Sequence, residues 1–124
     1  MSLRTEFDFT LPKGYVDGDG TLHRKGTMRL ATARDEIEPL RDVRVQDLEA
    51  YMTVIVLSRV VTQLGTVGQV TPKIIEGLFA ADLAYLQDLY EIVNFGDPSV
   101  LMEDTADPLP ARASLEEVPA TSGV

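Results

Sequence analysis

Residues 47–65 read DLEAYMTVIVLSRVVTQLG and form the most strongly periodic apolar stretch of the chain. Apolar side chains recur there at spacings of three and four residues, a pattern typical of an amphipathic helix. The β-branched run at residues 54–56 also suits a strand, but the pattern lasts ~17 residues and strands usually have ~5–6. We therefore predict one long helix that starts at Asp47 and ends at Gly65, where a left-handed C-cap is usual.

This helix is apolar over so much of its surface that we expect it to be the central core element or half of an interface. One partner is an N-terminal β-hairpin, because Phe7, Phe9 and Leu11 alternate with polar residues and residues 21–32 alternate in the same way. We expect Gly26 to mark a bulge or a bend in the second strand. A lone hairpin is marginally stable in water, so its apolar face is expected to lie on the helices.

Further helices are predicted on both sides of the central one. Thr32 is a suitable N-cap for a short helix that Pro39 limits. Thr71 and Pro72 supply a cap and a first-turn proline for another helix, and Asp82 then starts a last amphipathic one. The sequence thus predicts the α+β class, with an N-terminal β-hairpin packed on a small bundle of about four helices.

The chain has 124 residues, which is enough for one domain with a modest core. Residues 1–96 are predicted to form this single α+β domain. Residues 97–124 contain six Asp and Glu side chains against one Arg, four prolines and no apolar periodicity. We predict that residues 97–124 are a disordered acidic tail.

Charge and composition exclude several classes of function. The net charge of −9 repels a phosphate backbone, so nucleic acid is not an expected partner. The chain contains no cysteine, which removes disulfides, thiolate nucleophiles and Cys-ligated zinc. The most apolar window, residues 50–64, is shorter than the ~20 residues that cross a bilayer, and the N-terminus shows no secretory signal. We predict a soluble, cytoplasmic protein with no membrane partner.

The stretch GYVDGDGTLH, residues 14–23, resembles half of a calcium-binding loop. In an EF-hand register Asp17 and Asp19 take ligand positions 3 and 5. The first ligand position is occupied by Tyr15 and the last by Gly26, so two essential oxygens are missing. We interpret the stretch as a tight hairpin turn, for which Asp-Gly pairs are well suited. A calcium-dependent binding module that uses the two aspartates is the weaker alternative.

The sequence offers no set of catalytic groups. His23 is the sole histidine, and we expect it to be a partly exposed strand residue. A serine triad around Ser58 would have to recruit that same histidine, and no nucleophile elbow or phosphate-binding glycine motif is present. We therefore predict no catalytic residues, no cofactor, no metal ligand and no enzymatic activity; a hydrolase dependent on His23 is a distant alternative.

Five aromatic residues are the candidates for binding a partner. Four of them could line a groove along the last helix, and the fifth lies beside the hairpin turn. The competing interpretation places Phe79 and Tyr90 in the core with the leucines. Some surplus apolar surface is expected in either case, because one hairpin and a few helices must cover a very apolar central helix. The five are Tyr15, Phe79, Tyr85, Tyr90 and Phe95.

Two segments carry a resemblance to a known family. They are RLATARDEIEPLRD at residues 29–42 and TPKIIEGLFAADLAYLQDLY at residues 71–90, preceded by the strand FDFTLPKG at residues 7–14. In this layout, from residue 4 to residue 95, the chain resembles the small tail assembly proteins of Mu-type contractile-tailed phages, often called tail assembly chaperones. It is most similar to the version found in phage-derived contractile injection systems.

The resemblance implies a non-enzymatic role in virion or tail assembly, since that family has no catalytic residue set. It implies binding to tape-measure, tube or baseplate proteins in a bacterial or phage-infected cell, with the protein either free in the cytoplasm or incorporated in the tail particle. The alternative is a permanent structural subunit of the baseplate or tube end. The sequence leaves open whether the long helix packs within one chain or across a homo-oligomer.

Overall fold

The computed structural model describes residues 2–97 and 102–103. Three strands come first and are followed mainly by helices, and the predicted α+β class is confirmed. The strands are β1 (Ser2–Leu3), β2 (Glu6–Val16), β3 (Leu22–Arg29), β4 (Val61–Leu64) and β5 (Met102–Glu103). The helices are α1 (Ala33–Ile37), α2 (Val43–Asp47), α3 (Tyr51–Val60), α4 (Pro72–Glu76) and α5 (Ala80–Phe95), with a 3₁₀ turn (Glu38–Arg41) after α1.

The N-terminal hairpin is present as predicted, and it is part of a larger sheet. β2 and β3 pair antiparallel, and β4 adds to the free edge of β3 in the order β2-β3-β4. β1 and β5 form a separate antiparallel pair, with Ser2 opposite Glu103 and Leu3 opposite Met102. The packing of the hairpin on helices is also confirmed, because Phe7, Phe9 and Leu11 are all buried.

The prediction of one helix from Asp47 to Gly65 is wrong at both ends, because α3 begins only at Tyr51 and ends before β4. Helix α3 ends at Val60, and Val61 turns into an extended conformation with φ −81° and ψ 103°. Val61 then pairs with Met28 of β3, and Leu64 follows in the same strand. β-branched residues are compatible with either structure, so the pairing with β3 and the burial of both side chains decide the outcome.

Gly65 and Gly26 also have other roles than predicted. Gly65, with φ +54°, ends strand β4 rather than a helix, and its N–H donates to the carbonyl of Lys25 at 2.7 Å. Gly26 stays in register, paired with Phe9 on one side and Leu64 on the other. A Cβ at Gly26 would lie 2.5 Å from the ring of Phe9, so the glycine makes room for that ring. The pairing of β2 with β3 is irregular between Thr10 and Tyr15, and that of β3 with β4 is irregular between Thr27 and Met28.

The starts of α1 and α4 follow the predicted capping signals, whereas the sequence analysis did not predict α2. Thr32 is the N-cap of α1, which ends before Pro39. Thr71 is the N-cap of α4, where its hydroxyl accepts the N–H of Ile74 at 3.3 Å and Pro72 takes the first position. Helix α5 starts two residues earlier than predicted, at Ala80.

One core joins the sheet to the helices. It contains side chains from β2, β3, α3, β4, α4 and α5. Its fully buried members include Phe7, Leu11, Met28, Leu57, Val60, Leu64, Ile75 and Leu86. The predicted disordered tail at residues 97–124 lies outside the described residues, apart from Asp97 and the short strand β5.

Candidate functional site

A cleft of about 350 Å³ lies between α3 and α5, and we call it the α3–α5 groove. Helix α3 supplies one wall, helix α5 the other, and a single residue of α1 closes one side. The groove is lined by Glu36, Met52, Thr53, Val56, Leu57, Gln87, Asp88, Tyr90 and Glu91.

The floor of the α3–α5 groove is apolar and its rim is acidic. Val56 and Leu57 are buried at the floor, with the half-buried Met52 beside them. The carboxylates belong to Glu36, Asp88 and Glu91, and the lining contains no Lys or Arg. The groove therefore offers an apolar surface flanked by negative charge.

Tyr90 ties the two sides of the groove together. Its ring is buried, and its hydroxyl donates to Oε2 of Glu36 at 2.6 Å. Burial raises the pKa of the Tyr90 phenol well above its usual value, and the hydrogen bond to Glu36 adds to the shift. The protonated phenol donates to Glu36, which is thereby held at the rim as an acceptor.

A smaller depression of about 190 Å³, the Phe95 hollow, lies on the other side of Glu36. Phe95 is 63% exposed there, and its ring meets that of Tyr90 edge to face at a centroid distance of 6.1 Å. Such aromatic pairs hold each other in place without covering their outer faces. The hollow is lined by Ala31, Thr32, Ala33, Glu36, Asn94 and Phe95, so the groove and the hollow share Glu36.

The position of α1, and with it Glu36, is fixed by an ion cluster around Asp35. This carboxylate is almost fully buried and accepts two bonds from the guanidinium of Arg29, at 2.7 and 3.0 Å. Arg59 of α3 donates to the same carboxylate at 3.0 Å, and the N–H of Thr32 donates at 2.7 Å. The hydrogen bonds from Arg29, above all, hold the pKa of the Asp35 carboxyl well below its usual range. The cluster thus fastens α1 to both β3 and α3.

The structure brings together two of the five aromatic residues that the sequence singles out. Tyr90 and Phe95 lie at the groove and the hollow, whereas Phe79 precedes the first turn of α5 and is 51% exposed. Sixteen residues at ~1.5 Å each separate Phe79 from Phe95, about 24 Å along the helix. Phe79 and Phe95 therefore lie at opposite ends of α5, and the role of the five residues in partner binding stays a prediction.

Of the other two aromatic residues, Tyr85 contacts the sheet and Tyr15 belongs to its strand β2. Tyr85 meets Phe9 edge to face at 6.3 Å. Tyr15 is half-buried and stacks on His23 at 6.3 Å. Burial raises the pKa of the Tyr85 phenol, while a hydrogen bond from the backbone of Thr10 partly offsets the shift.

Sequence reasoning missed the residues that make the groove acidic. The sequence indicated Glu36 only as an acidic residue that stabilises the first turn of α1. It indicated Glu91 only as a polar residue of α5. The floor residues Met52 and Val56 are part of the apolar pattern that indicates a core. The surplus of apolar surface on the central helix indicated an interface, but periodicity alone does not reveal which two helix faces oppose each other.

The stretch GYVDGDGTLH spans the end of β2, the turn and the start of β3, and the tight-turn interpretation is confirmed. The Asp17 carbonyl accepts the N–H of Gly20 at 3.0 Å, and Gly20 has φ +85°, the arrangement of a three-residue hairpin loop. The Asp17 carboxylate accepts the N–H groups of Asp19 and Thr21 at 2.8 and 3.0 Å. Among residues 2–97 and 102–103, no three His, Asp or Glu side chains group in a way that could hold a metal ion.

His23 is 4% exposed, so the expectation of a partly exposed side chain is wrong. Its Nε2 and an Asp17 carboxylate oxygen are 2.8 Å apart, and its Nδ1 accepts the N–H of Thr66 at 3.3 Å. Since Nδ1 is an acceptor, the proton of a neutral ring lies on Nε2 and is donated to Asp17. The hydrogen bond from His23 is the main reason why the pKa of Asp17 is lowered. The residue links the hairpin to the loop after β4.

Comparison with known proteins returned no relative: no family model matches the chain, and no curated protein or solved structure matches it significantly. Within its described residues the chain has no helix with both the length and the apolarity to cross a membrane.

Proposed function

We propose that this chain is a non-enzymatic assembly protein of a contractile phage tail or phage-derived injection system, which binds another tail protein in the α3–α5 groove. The observation that carries the binding role is the groove itself, with an apolar floor that remains open between two helices. The assignment to a contractile tail rests on the resemblance of residues 29–42 and 71–90 to tail assembly chaperones. The candidate partners are therefore tape-measure, tube or baseplate proteins.

A second feature supports a protein-binding role. Four large apolar side chains are more than half exposed within residues 37–48, on the segment that joins α1 to α3. Single exposed apolar residues are ordinary, but a concentration of this kind in so short a segment is typical of contact surfaces. The four are Ile37, Leu40, Val43 and Leu48.

The test is a pull-down with the tape-measure, tube and baseplate proteins encoded beside the gene, using a variant that fills the groove. In Thr53→Trp a bulky ring enters the lining from α3, and we expect binding to fall at least tenfold. The matched control is Thr10→Trp, on an exposed position of β2 that lines neither the groove nor the Phe95 hollow. Failure of the unmodified chain to bind any of these proteins would overturn the proposal.

Mass spectrometry of purified particles separates an assembly factor from a permanent subunit. A chaperone is released, so its peptides should be absent from finished particles. Recovery of the chain in a fixed ratio to the tube or baseplate proteins would instead establish the structural subunit. The cytoplasmic location belongs to the chaperone proposal and is checked in the same experiment, by measuring the chain in the soluble fraction left after particles are removed.

A further inference from the structure

The walls of the α3–α5 groove restrict the backbone of whatever occupies it. Both walls are helices, whose backbone N–H and C=O groups are already used within the helix. An extended segment lying there would find no strand edge to pair with. An occupant that satisfies its own backbone hydrogen bonds, a helix, fits such a site.

The lining of α5 has the spacing of a helix-binding face. Gln87, Tyr90, Glu91 and Asn94 recur at intervals of three and four residues, and Phe95 completes the face at the Phe95 hollow. This face covers about two turns, or ~12 Å of helix at ~1.5 Å per residue. It is long enough for two or three apolar side chains spaced one turn apart on a partner helix.

The charges around the groove select the partner further. Glu36 and Glu91 contribute exposed carboxylates, and neither the groove nor the Phe95 hollow is lined by a Lys or Arg. The nearby Arg34 is directed to Glu38, at 3.8 Å. A helix whose apolar stripe is flanked by Lys or Arg would bury its stripe on the floor and place its cations against this rim.

Two occupants from the chain itself are disfavoured by the same chemistry. Residues 97–124 carry six acidic side chains against one Arg and are interrupted by four prolines, so this segment has the wrong charge and breaks helices. A second copy of the chain brings another net charge of −9. Like charges across an interface oppose association.

We infer that the α3–α5 groove binds a basic amphipathic helix of a partner protein, with apolar side chains on Met52, Val56 and Leu57 and Lys or Arg side chains against Glu36 and Glu91. The inference rests on the proposed protein-binding function and defines the partner by its chemistry.

The experiment measures fluorescence anisotropy of two labelled 18-residue model helices with the full chain. One has a leucine stripe flanked by lysines, and the other has the same stripe flanked by glutamates. We expect the Leu/Lys helix to bind at least tenfold more tightly than the Leu/Glu helix, and the difference to shrink as salt is raised. Equal binding of the two helices, or tighter binding of the Leu/Glu helix, would overturn the inference.

Two charge-reversal variants distinguish binding at the rim of the groove from attraction to the net negative charge of the chain. Glu91→Lys changes the rim, and Asp19→Lys makes the same change of two charge units at the exposed hairpin turn, outside the groove. We expect Glu91→Lys to weaken the Leu/Lys helix about three- to tenfold and Asp19→Lys to have less than a twofold effect. Equal effects of both variants would mean that the helix is attracted by net charge alone, which contradicts a site at the rim.

Failure of the basic-helix inference can be distinguished from failure of the proposed function in tail assembly. If tail proteins bind in a manner sensitive to Thr53→Trp while the model helices show no preference, the basic-helix inference is wrong and the proposed function stands. If the Leu/Lys helix binds at the rim but no tail protein is captured, the assignment to tail assembly is wrong and the inference about the groove stands.

Discussion

Asp82 and Gly14 are 68 positions apart in the chain, and the Asp82 carboxylate oxygen Oδ2 accepts the N–H of Gly14 at 2.9 Å. Its other oxygen, Oδ1, accepts the N–H of Lys13 at 2.8 Å. These two N–H groups lie where the ladder between β2 and β3 is interrupted, and Gly14 adopts φ +109° there. The first turn of α5 thus supplies the acceptors that the irregular strand lacks, and it fixes α5 on the sheet as one wall of the groove.

Replacement of Asp82 by Ala is expected to destabilise the fold by roughly 2–6 kcal/mol. Asp82 is fully buried, so its removal leaves two backbone N–H groups without their acceptor, at a cost of ~1–3 kcal/mol each. Asp82→Asn keeps one acceptor oxygen and should lose about half as much. Urea unfolding followed by circular dichroism measures both values. Asp19→Ala, at an exposed turn position, should stay within ~0.5 kcal/mol, and a similar small loss at Asp82 would contradict the assigned role.

Asp35 should make the stability of the protein depend on pH below neutrality. Its pKa is lowered in the folded state by Arg29, Thr32 and Arg59, while in the unfolded chain it titrates near ~4. Below pH ~4 the unfolded chain takes up a proton that the folded chain does not, so stability falls with falling pH. The stabilisation is complete above that pH and is lost by up to ~1.4 kcal/mol per pH unit below it.

Comparison of two Asp→Asn variants isolates this contribution. Between pH 4 and pH 3 the free energy of unfolding of Asp35→Asn should fall by about 1 kcal/mol less than that of the unmodified chain. Asp47→Asn, at an exposed position at the end of α2, should keep the full pH dependence. Identical pH profiles for the unmodified chain and Asp35→Asn would show that Asp35 titrates normally in the folded state.

Gly26 is expected to tolerate no larger residue. In Gly26→Ala the added methyl group would meet both the ring of Phe9 and the backbone carbonyl of Gln63, and a backbone atom in a sheet moves only with its strand. We expect a loss of about 2 kcal/mol, the usual cost of an overpacked core. Gly18→Ala is the matched control, because no atom lies within 4 Å of a Cβ there. A neutral Gly26→Ala variant would mean that β2 and β4 adjust freely around β3.

The sequence alone predicts correctly those parts of the fold that depend on residues close together in the chain. The caps at Thr32 and Thr71, the stop at Pro39 and the hairpin turn at Asp17 follow from side chains that act within four positions. The third strand and the groove do not, because they depend on which segments meet in space. Leu64 fits a helix as well as a strand until β3 is available to pair with it.

The change from α3 to β4 should therefore disappear when the sheet is absent. A synthetic peptide of residues 47–65 in trifluoroethanol, which favours helices, is expected to be helical beyond Val60 as far as Gln63. In the full chain the Cα chemical shifts of Thr62 and Gln63 should be those of a strand. A control peptide with Val61→Pro should end its helix before that position, since proline cannot make the bond that the N–H of Val61 donates to Leu57. If the helix of the unmodified peptide also stops at Val60, the end of the helix is determined by the local sequence. Pairing with β3 would then not be its cause, which contradicts the prediction.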